Sequence, residues 1–205
     1  SKYSHGEFVS KNETLQAPAP WGNSGTELLY TVTYNNGVSK YALRKIPYVP
    51  RVLDVTAGIG IPYTEYAVFN TDVTLLERAE AYALSGKYAE ALNDINTELA
   101  AFSKKKVRLT LDQIKDFYAS QAYYTPTKPT PKKALNPLFA IEKTTQEPLL
   151  QCILQLRRIL TIHEGFRLQD VKRYGITMYR RQVDERSNVT ALTDSMKVGD
   201  PRLAI

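Results

Sequence analysis

The densest set of potentially reactive side chains lies in His163-Glu164-Gly165-Phe166-Arg167-Leu168-Gln169-Asp170-Val171-Lys172-Arg173-Tyr174-Gly175. The run reads as a charged helix that stops at Gly175. Glu164, Arg167, Asp170 and Arg173 fall at i, i+3, i+6 and i+9, which places neighbours of alternating sign on one helix face. Two carboxylates on a shared face are raw material for general acid–base catalysis. The alternation points elsewhere. A guanidinium beside each carboxylate favours the charged form and makes it a poor proton donor at neutral pH. The expected role is a structural charge lattice of Arg157, Arg158, Glu164, Arg167, Asp170 and Arg173, the first two reaching across from the preceding turns.

No other catalytic set assembles. The two histidines, His5 and His163, are in no H-x-x-x-H spacing, so no metal site is expected. Gly22-Asn23-Ser24-Gly25 and Gly58-Ile59-Gly60 are too short to cradle a phosphate, and no G-x-S-x-G elbow is present. No cofactor and no enzymatic activity are expected. Cys152 lies in the apolar run Leu149-Leu150-Gln151-Cys152-Ile153-Leu154 and reads as a small buried hydrophobe. The formal charge is +6, from 27 basic and 21 acidic residues, with the excess scattered through short runs such as Lys104-Lys105-Lys106 and Arg180-Arg181. With no zinc-finger spacing and no RNA-recognition signature, nucleic acid is not an expected partner. No apolar run reaches the length of about 18 residues that a spanning helix needs.

The elements that must position these groups divide the chain in two. Residues 1–70 are rich in Gly, Pro, Asn, Ser and Tyr and predict a loop-rich segment with a short hairpin. Leu28 to Tyr34 and Val38 to Leu43 would pair across Asn35-Asn36-Gly37, since Asn-Gly suits the positive φ of a tight hairpin turn. Residues 71–205 predict an α-helical region. Val73, Leu76, Ala79 and Ala83 keep one helix face apolar, Gly86 ends that helix, and Tyr88-Ala89-Glu90-Ala91-Leu92 starts the next. Ala79, Tyr82, Gly86, Ala91 and Ile95 fall at tetratricopeptide-like offsets, where small residues let two helices approach closely. Thr110-Leu111-Asp112-Gln113 is a capping box opening a third helix, predicted to run to about Tyr123. The proline-rich stretch from Thr125 to Lys133 should be extended, and Pro148 suits the first turn of a largely buried helix bearing Leu149, Ile153, Leu156 and Leu160.

These segments, in this order, resemble the C-terminal half of the SusD/RagB family. The resemblance is carried by Tyr41-Ala42-Leu43-Arg44-Lys45, by Asp72 through Tyr82, by Leu156-Arg157-Arg158 through the Glu164-Gly165 turn to Asp170-Val171-Lys172-Arg173-Tyr174, and by Asp200-Pro201-Arg202-Leu203. Gln155 and Thr161 stand where the family commonly has glutamates, and Lys115 to Asn136 looks inserted. The resemblance implies a mainly α, SusD-like fold of tetratricopeptide-like helical pairs with long loops and a closing strand-like tail. It also implies a lipoprotein on the extracellular face of an outer membrane, anchored by a lipid on a preceding N-terminal part. Its partner would be a SusC-like TonB-dependent transporter, and its cargo an oligosaccharide or, in some members, a peptide. A helical-repeat adaptor that binds only proteins is the alternative.

Cargo binding in such a protein would use aromatics from the Gly/Pro-rich first third: Trp21 foremost, then Tyr48, Tyr63 and Tyr66, with Asn23 as a polar partner. A flat indole offers sugar C–H faces an apolar platform. The other reading of Trp21 is that it plugs its loop onto the helical core.

Overall fold

The computed structural model describes residues 5–23, 27–28, 32–34, 40–43, 49–63, 67, 69–162, 164–186 and 188–203. Among the described residues there are six α-helices: α1 (Glu7–Glu13), α2 (Thr71–Leu84), α3 (Tyr88–Phe102), α4 (Leu111–Ser120), α5 (Gln146–Leu160) and α6 (Arg167–Arg173). The short strands are β1 (His5–Gly6), β2 (Pro18–Ala19), β3 (Gly22–Asn23), β4 (Val32–Tyr34), β5 (Lys40–Leu43), β6 (Val49–Asp54), β7 (Ile59–Tyr63), β8 (Met178–Val183) and β9 (Val189–Met196). They form one three-stranded sheet, β1-β5-β4, and three isolated hairpins, β2-β3, β6-β7 and β8-β9. The core is helical and the strands lie around it.

Helix α5 is the axis of that core. All but Pro148 of its residues are buried, because α2, α3 and α4 all pack against it. Leu149, Leu150, Ile153, Leu156 and Leu160 fill the interior. Burial pushes the Cys152 thiol up, out of the reactive range. The buried polar residues of α5 bind the backbone of the surrounding loops. Gln146 donates to the Ala83 carbonyl at 2.9 Å. Gln151 accepts from the Lys133 N–H and donates back to its carbonyl. Gln155 accepts from the Tyr118 hydroxyl at 2.8 Å and donates to the Pro18 carbonyl at 2.9 Å. A glutamate at 155 could not make that second bond, since an ionised carboxylate has no N–H or O–H to give.

The α2–α3 pair forms as its small residues require. Ala79, Ala83 and Ala91 are fully buried, which lets the helices approach, and Gly86 takes φ +75° where the first helix ends. Arg78 forks onto Asp94 across the pair, with both bonds at 2.8 Å. The capping box opens α4: Thr110 Oγ1 accepts from the Gln113 N–H at 3.2 Å, and Gln113 Oε1 accepts from the Thr110 N–H at 2.8 Å.

The strand content departs from the expectation of an α-helical region over 71–205. Residues 178–196 form the β8-β9 hairpin, closed by Asp184, which accepts from the Arg186 and Asn188 N–H groups. The tail folds into a 3-10 turn, Pro201–Leu203, not a strand. Arg202 there forks onto Asp200 and Asp194, which bends the segment back on β9. In the first third, β4 and β5 pair with Val32 opposite Leu43, as the hairpin reading requires, although residues 35–39 lie outside the described residues. Helix α1 and the β6-β7 hairpin add order where only loops with short strands were expected.

Candidate functional site

The charged segment contributes to two clusters, one around Arg157 and one around Arg158, with Asp170 of the first 3.8 Å from Arg167 of the second. The helix in it is shorter than its charge spacing suggests. Gly165 takes φ +88°, so α6 begins only at Arg167, and Glu164 lies in the turn ahead of it. Glu164 is therefore not on the helix face with the others. At the far end Gly175 takes φ +57°, and a Cβ there would lie 2.2 Å from the Asn136 carbonyl oxygen. Glycine is required by conformation and by space alike.

The first cluster centres on Glu80 of α2, a residue outside the expected lattice. Arg157 of α5 donates to Glu80 Oε2 at 2.7 Å and to Asp170 Oδ1 at 2.6 Å. Arg173 Nε donates to Glu80 Oε1 at 2.9 Å, and the Tyr174 hydroxyl donates to the same oxygen. Glu80, Arg157 and Asp170 are buried. Burial alone would lower the affinity of Arg157 for its proton. Asp170 and then Glu80 outweigh this and hold the guanidinium charged. Burial, with Glu80 adding to it, raises the Tyr174 phenol. Two carboxylates face two guanidiniums, so the cluster is charge-balanced and ties α2, α5 and α6 together. A cleft of about 250 Å³ runs along its outer edge. Each carboxylate is engaged by at least one guanidinium.

The second cluster holds Arg158, next in sequence and turned about 100° around α5. A cleft of about 270 Å³ opens between α1, the C-terminal turn of α5 and the start of β8. Glu13 of α1 takes Lys133 at 3.0 Å and Arg181 at 2.9 Å. The Lys133 ammonium also lies over the Tyr124 ring, 3.2 Å from its centroid. Arg158 and Arg167 project into this cleft without a carboxylate at hydrogen-bond distance among the described residues, the nearest to Arg167 being Asp170 at 3.8 Å.

The chain matches no family model, no curated protein and no solved structure. What it does must be read from its own residues.

The expected cargo residues are dispersed. Trp21 is 2% exposed and sits in the core with Leu15, Ala19 and Leu28. No ring face is left for a sugar, so the platform reading of Trp21 is corrected: the turn between β2 and β3 is pinned to the core by its own indole. Asn23 is exposed on β3, and Tyr63 is 42% exposed at the end of β7. Tyr48 and Tyr66 lie outside the described residues, as does His163. No group of three or more His, Cys, Asp or Glu among the described residues could hold a metal ion. Sequence reasoning missed Glu80, Glu13, Lys133 and Arg181 as members of the charge clusters. Each is an isolated charge in its own segment, and only tertiary packing brings it to the others.

Proposed function

We propose that the chain is part of a cell-surface, SusD-like nutrient-binding protein that passes oligosaccharide or peptide cargo to a TonB-dependent transporter in the outer membrane, with no catalysis of its own. One observation supports this reading above others. Two of the four segments that carry the resemblance, Asp72 through Tyr82 and Leu156 through Tyr174, are packed together by Glu80, Arg157, Asp170 and Arg173. Helix α2, the buried arginine-bearing α5 and the charged α6, tied in this way, form a scaffold for loops, and binding residues concentrate on loops so held. In this reading α2 and α3 are a tetratricopeptide-like pair. Ala91 then sits at a close-approach position, so Ala91→Leu should overpack the pair and cost about 1–3 kcal/mol in denaturant unfolding. Full tolerance would mean that the register is different.

The decisive functional test is affinity electrophoresis of the protein through gels containing neutral and acidic polysaccharides, beside a peptide-binding assay. Retardation by at least one glycan, or saturable peptide binding, is expected, with no new reducing ends after incubation. Absence of binding to either class, or turnover abolished by changing a carboxylate of this chain, would contradict the proposal.

A second reading, a protein-binding adaptor, is favoured by the β6-β7 hairpin, which exposes Val52, Leu53, Val55, Ile59 and Ile61. Several exposed apolar side chains on one hairpin are a partner-contact feature. In the nutrient-binding reading the same hairpin would contact the transporter or the remainder of the protein.

A further inference from the structure

The cleft between α1, α5 and β8 is built as a cationic site with an incomplete set of counter-charges. Three cationic side chains line it, Lys133, Arg158 and Arg167, and one carboxylate, Glu13, lines it among the described residues. Glu13 is already committed, because one oxygen takes Lys133 and the other takes Arg181. Arg181 is further satisfied by the Pro126 and Thr125 carbonyls and the Tyr124 hydroxyl. The other two guanidiniums are served less fully, Arg167 having Asp170 at 3.8 Å, beyond hydrogen-bond distance. Arg158 is 8% exposed, its terminal nitrogens reach only the Pro131 carbonyl at 3.4 and 3.5 Å, and its Nε has no hydrogen-bond partner. Arg167 Nη1 is buried and also has none.

Buried guanidinium N–H groups without acceptors are costly, and folded proteins rarely keep them unless something else completes the set. The cost shows in the proton affinities. Burial depresses Lys133 well below the usual lysine range, with Glu13 only partly restoring it and Arg158 opposing. Burial lowers Arg158. Burial, reinforced by Arg158, brings Arg167 down to about 9. An oxyanion would relieve all three, and planar guanidiniums suit carboxylate and phosphate oxygens in particular.

The remaining walls say what the oxyanion is attached to. Val9, Ile162, Ile176 and Met178 line the same cleft. A bare hydrated ion gains nothing from such walls, whereas an organic body buries apolar surface on them. The volume is below that of drug-sized sites, which points to a single ring or a short chain.

We propose that this cleft binds a small organic anion, its carboxylate or phosphate held by Arg158 and Arg167 and its apolar body set against Ile162, Ile176 and Met178. The proposal stands on the cleft alone and does not depend on the nutrient-binding reading. Titration calorimetry of the whole chain with benzoate, phenyl phosphate and neutral benzyl alcohol tests it, in a buffer free of multivalent anions. Benzoate or phenyl phosphate should bind in the millimolar range or tighter, and whichever binds identifies the head group. Benzyl alcohol should not bind. Arg158→Met and, independently, Arg167→Met should each weaken binding at least tenfold, whereas Arg51→Ala, an exposed arginine on β6, should leave it unchanged. Arg167 is the safer variant for folding, since its side chain is 25% exposed. The proposal is overturned if neither anion binds below about 10 mM, if benzyl alcohol binds as well as the anions, or if both cleft variants retain full affinity.

Discussion

Arg157 and Arg158 are neighbours in sequence, equally buried in effect, and face opposite fates. Arg157 has Glu80 at 2.7 Å and Asp170 at 2.6 Å, in a cluster with as many carboxylates as guanidiniums, although its Nε, like that of Arg158, has no hydrogen-bond partner. Arg158 meets a single backbone carbonyl at 3.4 and 3.5 Å in a cleft where the one carboxylate lining it among the described residues is already taken. A helix rotates about 100° per residue, so adjacent positions on a fully buried helix serve different walls of the molecule. Burial of charge is therefore not one phenomenon here. The balanced cluster contributes to holding three helices in register. In the unbalanced one a buried guanidinium lacks such partners, an arrangement that costs stability unless something compensates it.

The comparison breaks most readily at Glu80. Glu80→Gln removes the charge that faces Arg157 and Arg173 while keeping the shape, leaving a buried guanidinium under-compensated. A loss of about 3–5 kcal/mol in urea unfolding is expected. A loss near zero would mean that α6 is held to α2 by apolar contacts alone.

A smaller effect is expected at Tyr174, whose hydroxyl donates to Glu80. Tyr174→Phe deletes a hydrogen bond to a charged acceptor and should cost about 1.5–3 kcal/mol. It also carries a pH signature. The folded-state phenol is raised by burial and by Glu80, so the unfolded chain gives up this proton first. Its contribution is thus complete below the unfolded tyrosine value of about 10 and is lost as pH climbs above it. Wild-type stability should fall above that pH, and more gently in Tyr174→Phe. Parallel alkaline slopes in the two proteins would place the titrating group elsewhere, with Tyr118, raised well above its usual range by burial, the first alternative.

Much of the helical half was legible because local and global signals agree there. The alanines of α2 and α3, the Thr110–Gln113 box and the apolar stripe of α5 each specify a helix and its buried face at once. The strands were less legible for a physical reason. In β8 and β9 no residue is fully buried and much of both strands is exposed, so the period-2 signal that marks a half-buried strand is weak. Trp21 was open to two readings because a tryptophan between proline and glycine looks the same on a surface turn and on a turn pinned to the core. The charge clusters were half legible. The residues of α6 lie in one segment, whereas Glu13, Glu80 and Lys133 come from distant ones, and no spacing rule connects them. The helix face that included Glu164 failed because Gly165 interrupts it.

The most direct test of the contrast between the two clusters is the urea midpoint of Arg158→Met, in a buffer free of multivalent anions, measured beside wild type and Glu80→Gln. A buried guanidinium lacking counter-charge is replaced by an apolar side chain of similar length, so the midpoint should stay level or rise while that of Glu80→Gln falls. A midpoint lowered by Arg158→Met as far as by Glu80→Gln would show that Arg158 is a structural tie like its neighbour and that the cleft holds no vacancy for an anion.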